Sequence, residues 1–347
     1  MIRRLALTGV FLAALFGSGS LLSEVQPFAM VPLLREKATH FSAHADDYDT
    51  LFFGTSRVYR GLMPAVFDEL TARAGVPTRS FNLGIDGMFP PEDSYVFEHL
   101  LAHPPKHLRW VFLETNTVRT GIGNGDAESA RNIHWHDTAH TLLEWRTLLA
   151  PPERKLRWRK LLFGSQEQRD PLAKGLTHTR LWVLRTLNSG RGGLLFQTWA
   201  GTATVPEPAP VLGSAGDGFV AAGGGSMRLP WRERAEYQRL YDERLAKPNH
   251  RSTLDVHAQR NLDAMLARIR AAGAQPILLI APTLAEGRQY PRPGCDAPVF
   301  DFAEMEKWPE LFRLEHRLDR AHLNAAGAEL YTRAVAARFL ELTHTTR

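Results

Sequence analysis

Three side chains have the types and spacing for acyl transfer: a serine closing a strand, and an aspartate three residues ahead of a histidine. Ser56 stands in Phe53-Gly54-Thr55-Ser56-Arg57, directly after the apolar stretch Thr50–Phe53. In an open parallel sheet, ligands bind beyond the carboxyl ends of the strands, so a serine there is placed to be presented to substrate. A serine hydroxyl needs a base to take its proton, and an imidazole ionises near neutrality. The imidazole in turn needs a carboxylate to fix its tautomer. Asp319-Arg320-Ala321-His322 supplies both, on a turn that lets Asp319 and His322 lie side by side. Taken singly, each element also has a plainer reading: Ser56 as a helix cap or turn former, and Asp319 with His322 as a surface pair.

Taken together, these segments resemble the SGNH/GDSL hydrolase superfamily. Gly54-Thr55-Ser56 is similar to its Gly-Asp-Ser block, with Thr in place of the turn-forming Asp. Asp319-x-x-His322, followed by Leu323-Asn324 and Gly327, is similar to its last block. Asn82-Leu83-Gly84-Ile85-Asp86-Gly87 matches the Asn-x-Gly-x-x-Gly turn after the second strand. The resemblance implies Ser56 as nucleophile, His322 as base and Asp319 as its orienting carboxylate. It further implies that Gly87 gives a backbone N–H to the oxyanion. A residue with no side chain best allows such an approach. The third block, Gly-x-Asn-Asp, is matched only by Glu114-Thr115-Asn116-Thr117, where Asn116 is the candidate side-chain oxyanion donor and also fits a plain strand-ending turn. The implied chemistry is that of a serine esterase or acyltransferase needing no cofactor and no metal. Anchored relatives with such insertions include proteins acting on the O-acyl groups of envelope polysaccharides, so an acylated carbohydrate or small ester is the substrate class that the resemblance suggests. A catalytically inactive protein of the same fold, binding glycan or scaffolding an envelope assembly, is the alternative that the degenerate third block leaves open.

The elements that must position these residues are legible as alternation. Strand-like runs at Thr50–Phe53, Ser80–Ile85 and Trp110–Leu113 are separated by helical patterns at Ala65–Ala74, led by Pro64, and at Glu92–Leu101. The alternation resumes with a helix over Leu254–Ala272, stopped by Gly273, then an apolar run Pro276–Ile280 and a short strand at Pro298–Phe302. A helix from about Ala325 to Leu342 closes the chain, with Tyr331, Val335, Phe339 and Leu342 on one face and Asn324 as its cap. The expected fold is a three-layer α/β/α domain spanning residues 25–347, with a mainly parallel, flavodoxin-like sheet. A helical and loop-rich insertion, at about 121–251, is expected to cap the sheet's active edge. It holds helical stretches at Leu142–Leu149 and Arg234–Leu245 and a Gly/Ala/Pro-rich loop at Gly201–Gly225.

Composition narrows the remaining classes. The chain has 347 residues, 44% hydrophobic and 23% charged, enough for a sizeable core. Its 42 Lys and Arg against 37 Asp and Glu leave a formal charge of +5, with basic residues dispersed apart from a mild concentration at Glu153–Arg159. Dispersal disfavours nucleic acid as a partner and fits a general attraction to anionic surfaces. Cys295, the single cysteine, excludes an intramolecular disulfide. Arg3 and Arg4 precede an apolar run of 18 residues, Leu5–Leu22, laid out as a secretion signal and just long enough to cross a bilayer. Residues 1–24 are therefore expected to be a membrane anchor, or else a cleaved signal, with the remainder on the periplasmic or extracellular side. His134-Trp135-His136-Asp137 holds metal-ligand types, but neighbouring helix positions diverge, and a role lining the site or contacting the cap is preferred to a metal. Trp145, Trp158, Trp182 and Trp199 fit a sugar-binding groove, core packing or a membrane surface equally.

Overall fold

The computed structural model describes residues 2–25, 27–28, 31–116, 128–149, 166–187, 211–222, 231–246, 251–284 and 288–345. The basic run at Glu153–Arg159, Trp158, Trp199, Gly223–Gly225 and the first part of the Gly201–Gly225 loop lie outside these residues. The chain forms two compact units: Met1–Ala38 with Arg119–Pro208, and Thr39–Val118 with Ala209–Arg347.

The second unit holds the sheet. In chain order its elements are β1 (Thr50–Phe53), then β2 (Ser80–Asn82), β3 (Trp110–Glu114), β4 (Arg251–Thr253), β5 (Gln275–Ile280), β6 (Arg288–Tyr290) and β7 (Val299–Asp301). Five of them make one parallel sheet in the order β2-β1-β3-β5-β7, and β4 pairs with β6 in a separate parallel ribbon. With the ribbon set aside, the order is the doubly wound 2-1-3-4-5, whose switch point lies between β1 and β3. The fold expected from the alternation of elements is the one formed. The strand expected at Ser80–Ile85 ends at Asn82, because the Asn82 side chain turns the backbone by accepting from Gly84 N–H at 2.8 Å.

Among the described residues the helices are, in chain order, α1 (Ile2–Val25), α2 (Pro32–His44), α3 (Ser56–Tyr59), α4 (Pro64–Arg73), α5 (Glu92–Leu100), α6 (Ala130–His134), α7 (Thr138–Leu149), α8 (Gln166–Leu187), α9 (Trp231–Ala246), α10 (Val256–Ala271) and α11 (Ala325–Thr345). Alternation along β1 decides which of them cover each face. Phe52 points to one side, where its ring meets Phe67 of α4 at 5.1 Å and Phe112 of β3 at 5.0 Å, and Phe339 of α11 closes on Phe67 at 5.4 Å. Phe53 points to the other, edge-on to Phe97 of α5 at 4.9 Å. Asn261 of α10 donates to Asp93 of α5 at 3.2 Å on that side. These buried aromatics each remove on the order of 150–250 Å² from water, which is what holds the sheet between its helices. Residues 211–222 follow the β2 edge, where Asp217 O accepts from Asn82 N–H at 2.9 Å. Gly218 is required there, with φ +86° and no space for a Cβ, which would stand 2.3 Å from Asn82 O.

The first unit is helical. Trp145 of α7 lies over Gly175 of α8 and donates to Thr179 Oγ1 at 2.9 Å, while Trp182 donates to Thr138 Oγ1 at 3.2 Å. These two tryptophans therefore pack helices together. Phe16 of α1 stacks on Trp182 with ring centroids 6.1 Å apart. Over Arg3–Leu21, α1 is long and apolar enough for a signal anchor or a membrane span, and Leu5, Leu7, Val10 and Phe11 on it are exposed.

Candidate active site

The turn after β1 is built to expose one side chain. Thr55 caps α3, its hydroxyl accepting from Arg57 N–H at 3.2 Å, and Ser56 becomes the first helical residue. A residue at that position has a backbone N–H with no partner inside the helix. Thr is among the residues favoured at such a cap. Beneath, the buried Asn82 amide donates to Val58 O at 2.8 Å and Leu62 O at 2.7 Å, pinning the segment that carries Ser56 to the end of β2. Gly84 lies so close to this segment that a Cβ would stand 2.3 Å from Tyr59 N.

From the other end of the chain, the loop before α11 arrives at the same place. Ser56 Oγ and His322 Nε2 are 2.7 Å apart across 266 positions of sequence. His322 Nδ1 faces Asp319 Oδ2 at 2.7 Å, and Asp319 Oδ1 accepts from the backbone N–H groups of Ala321 at 2.6 Å and His322 at 2.7 Å. Burial acts to raise the Asp319 carboxyl, but the hydrogen bond and charge of His322 and the two backbone donors outweigh it. The net effect is a carboxyl held below its ordinary range. All three side chains are half-buried, with about a quarter of His322 open to solvent. Asn324 does cap α11: its Oδ1 accepts from Gly327 N–H at 3.0 Å and its amide donates to Glu315 O at 2.6 Å.

The two expected oxyanion donors lie in the segments that follow the neighbouring strands β2 and β3. Gly87 is exposed and adopts φ +65°, a left-handed conformation that glycine takes without strain, in a turn closed by Met88 N–H on Ile85 O at 3.3 Å. Ile85 N–H donates to Gly54 O at 3.0 Å, and Asp86 pairs with Arg60 at 2.6 Å, so this turn is tied to the Ser56 segment from both sides. Asn116 is buried just beyond β3, its Oδ1 accepting from the Arg57 guanidinium.

Two arginines in the site were not singled out by sequence reasoning. Arg57 Nε donates to Glu114 Oε1 at 2.5 Å, and the second oxygen of Glu114 accepts from Thr55 N–H at 2.7 Å. Arg317 is completely buried, and its hydrogen bonds go to main-chain carbonyls. Its guanidinium donates to the carbonyls of Pro282 at 2.9 Å, Arg320 at 3.0 Å, Asp319 at 3.3 Å and Leu311 at 3.4 Å. Burial lowers its pKa from the ordinary arginine value, and Tyr237 and Asp319 oppose that. Arg317 is therefore the internal scaffold of the loop that presents Asp319 and His322. The only signal available in sequence was its place two residues ahead of Asp319.

The His-Trp-His-Asp motif belongs to the helical unit. His134 and His136 are fully buried. His136 Nε2 meets His178 Nδ1 at 2.8 Å, and His178 Nε2 stands 3.4 Å from Glu144, without the alignment of a hydrogen bond. The groups run in a line rather than converging, and no metal-ligand cluster occurs among the described residues. Burial pushes the Glu144 carboxyl up to about 8. A carboxyl raised on folding contributes stability below its unfolded pKa and loses it as pH rises toward the folded value. Thermal stability is accordingly expected to fall between about pH 5 and pH 8, and Glu144→Gln is expected to flatten that decline in a melting series across pH. An unchanged slope in the variant would remove Glu144 as its source.

In comparison with known proteins, the chain matches no family profile and no curated protein.

Proposed function

We propose that this chain is an extracytoplasmic serine esterase or acyltransferase of the SGNH/GDSL type, held at the membrane by its N-terminal helix. The observation that carries the reading is the unbroken relay Ser56 Oγ, His322 Nε2, His322 Nδ1, Asp319 Oδ2, with both contacts at 2.7 Å. Serine, imidazole and carboxylate at these distances support nucleophilic acyl transfer by geometry and role.

Ser56 Oγ attacks the ester carbonyl carbon as His322 Nε2 takes its proton. The carbonyl π electrons move onto oxygen, where the N–H groups of Ser56 and Gly87 and the Asn116 amide receive the charge. Collapse breaks the ester C–O bond, and His322 passes its proton to the departing alcohol, leaving acyl-Ser56. Water or a sugar hydroxyl then attacks the acyl group. His322 takes that proton; the second tetrahedral intermediate then collapses, the bond from the acyl carbon to Ser56 Oγ breaks, and His322 returns the proton to Oγ, completing hydrolysis or transfer without any cofactor. The resemblance to anchored relatives points to O-acetyl groups of envelope polysaccharide as the substrate class.

Two measurements test this reading. Hydrolysis of p-nitrophenyl acetate by the full chain in detergent is expected to fall by at least about 10³-fold in Ser56→Ala; equal rates in the two proteins would refute the assignment. The protein is expected to stay in the membrane pellet after alkaline carbonate extraction, with the unit that holds the sheet open to protease added from the non-cytoplasmic side. Release into the supernatant would leave a cleaved signal as the role of the first 24 residues.

A further inference from the structure

The third block of the resemblance is where the sequence departs most, and the departure is occupied by an ion pair. Glu114 closes β3 and stands where the resembled pattern has glycine. Its carboxylate faces the Ser56 turn, where Gly54 makes the space: a Cβ on Gly54 would lie 2.6 Å from Glu114 Cβ and 2.7 Å from its carboxylate. One oxygen of Glu114 accepts from Thr55 N–H and the other from Arg57 Nε, and Arg57 Nη2 reaches Asn116 Oδ1. Side-chain exposure is 8% for Arg57 and 1% for Glu114.

We propose that the Arg57–Glu114 pair is a positioning device for Asn116, locking its side-chain amide in the single orientation that turns the NH2 group toward the acyl oxygen. The inference rests on the acyl-transfer reading of Ser56. An Asn side chain has an accepting end and a donating end of nearly equal shape, and only its partners decide which end faces where. A guanidinium can only donate, so it holds Oδ1 and forces Nδ2 to the opposite side. The planar fork of Arg57 is itself fixed by Glu114, which an ammonium on a flexible stem could not reproduce. Glu114 also ties the first turn of α3 to the strand that carries Asn116, so nucleophile and donor share one anchor.

Stability alone does not account for such a pair. A desolvated ion pair is replaced by apolar groups of similar size with little loss, and sometimes with gain. What an apolar pair would not supply is the amide's orientation.

The test is a cycle on the full chain in detergent, read by the rate of fluorophosphonate labelling and by kcat and KM for p-nitrophenyl acetate. Loss of one oxyanion donor costs about 10²–10³-fold, so Arg57→Met is expected to lower the labelling rate by about 10–100-fold, with the loss in kcat rather than KM. Added to Asn116→Ala, the same change is expected to cost nothing further, because its effect passes through that amide. Arg57→Lys keeps the charge without the fork and is expected to show the same dependence on Asn116, which covers the case in which Arg57→Met fails to fold. Additive losses, or a rate unchanged by either Arg57 substitution in folded protein, overturn the inference while leaving the hydrolase reading in place. A folded parent that takes no label overturns both.

Discussion

Replacing Asp319 with Asn is expected to lower kcat toward p-nitrophenyl acetate by about 10⁴-fold, with the fold intact. The geometry gives the reason. Asp319 Oδ1 is occupied by two backbone donors, Ala321 N–H and His322 N–H, and Oδ2 receives the proton on His322 Nδ1. An Asn in this place keeps its oxygen on the backbone donors, because an amide NH2 cannot accept them. Its NH2 then faces His322 Nδ1 and donates to it. The imidazole is driven to the other tautomer, with its proton on Nε2, and Nε2 can no longer take the proton of Ser56. The change is almost isosteric, so a melting temperature close to the parent separates lost chemistry from lost structure. Activity within tenfold of the parent would remove Asp319 from the relay.

The second large effect concerns Arg317. Arg317→Met is expected to cost about 3–5 kcal/mol in urea unfolding, since it strands several buried acceptors at about 1–3 kcal/mol each. The carbonyls of Pro282, Leu311, Asp319 and Arg320 all take a donor from this one guanidinium, and three of the four distances are 3.3 Å or less when Leu311, at 3.4 Å, is set aside. Met fills the same space against Tyr237 and Phe312 and restores none of those bonds. Because the carbonyls of Asp319 and Arg320 belong to the loop carrying His322, acylation of Ser56 is expected to fall as well. A variant within 1 kcal/mol of the parent, on the order of the ordinary surface effect, would show that the loop holds its shape without Arg317.

The parts of this site that were legible in sequence are those set by local spacing. An apolar run followed by Gly-Thr-Ser specifies a strand, a tight turn and a helix start within seven residues. Asp-x-x-His followed by an Asn cap specifies a loop entering a helix. Both signals are short-range, and so is the alternation of strand and helix that yields the parallel sheet. The Arg57–Glu114–Asn116 cluster was not legible, because its members lie 57 and 59 positions from Arg57 and meet only once β1 and β3 pair in register. Arg317 was hidden for a different reason. A buried cation whose hydrogen bonds go to main-chain carbonyls leaves little partner signal to read in a sequence. In the middle of the chain, α8 went unread because Pro171 and Gly175 lie inside it, two residues that ordinarily mark helix ends; Gly175 is explained by Trp145 lying across it. The β4–β6 ribbon was missed because strands of three residues carry no periodicity.

The most direct test of the account is to treat the full chain in detergent with a fluorophosphonate and locate the adduct by peptide mass mapping. A single modified residue is expected, Ser56, with labelling lost in Ser56→Ala and strongly slowed in His322→Ala. Folded parent protein that takes no adduct, or an adduct that persists elsewhere when Ser56 is gone, would contradict it.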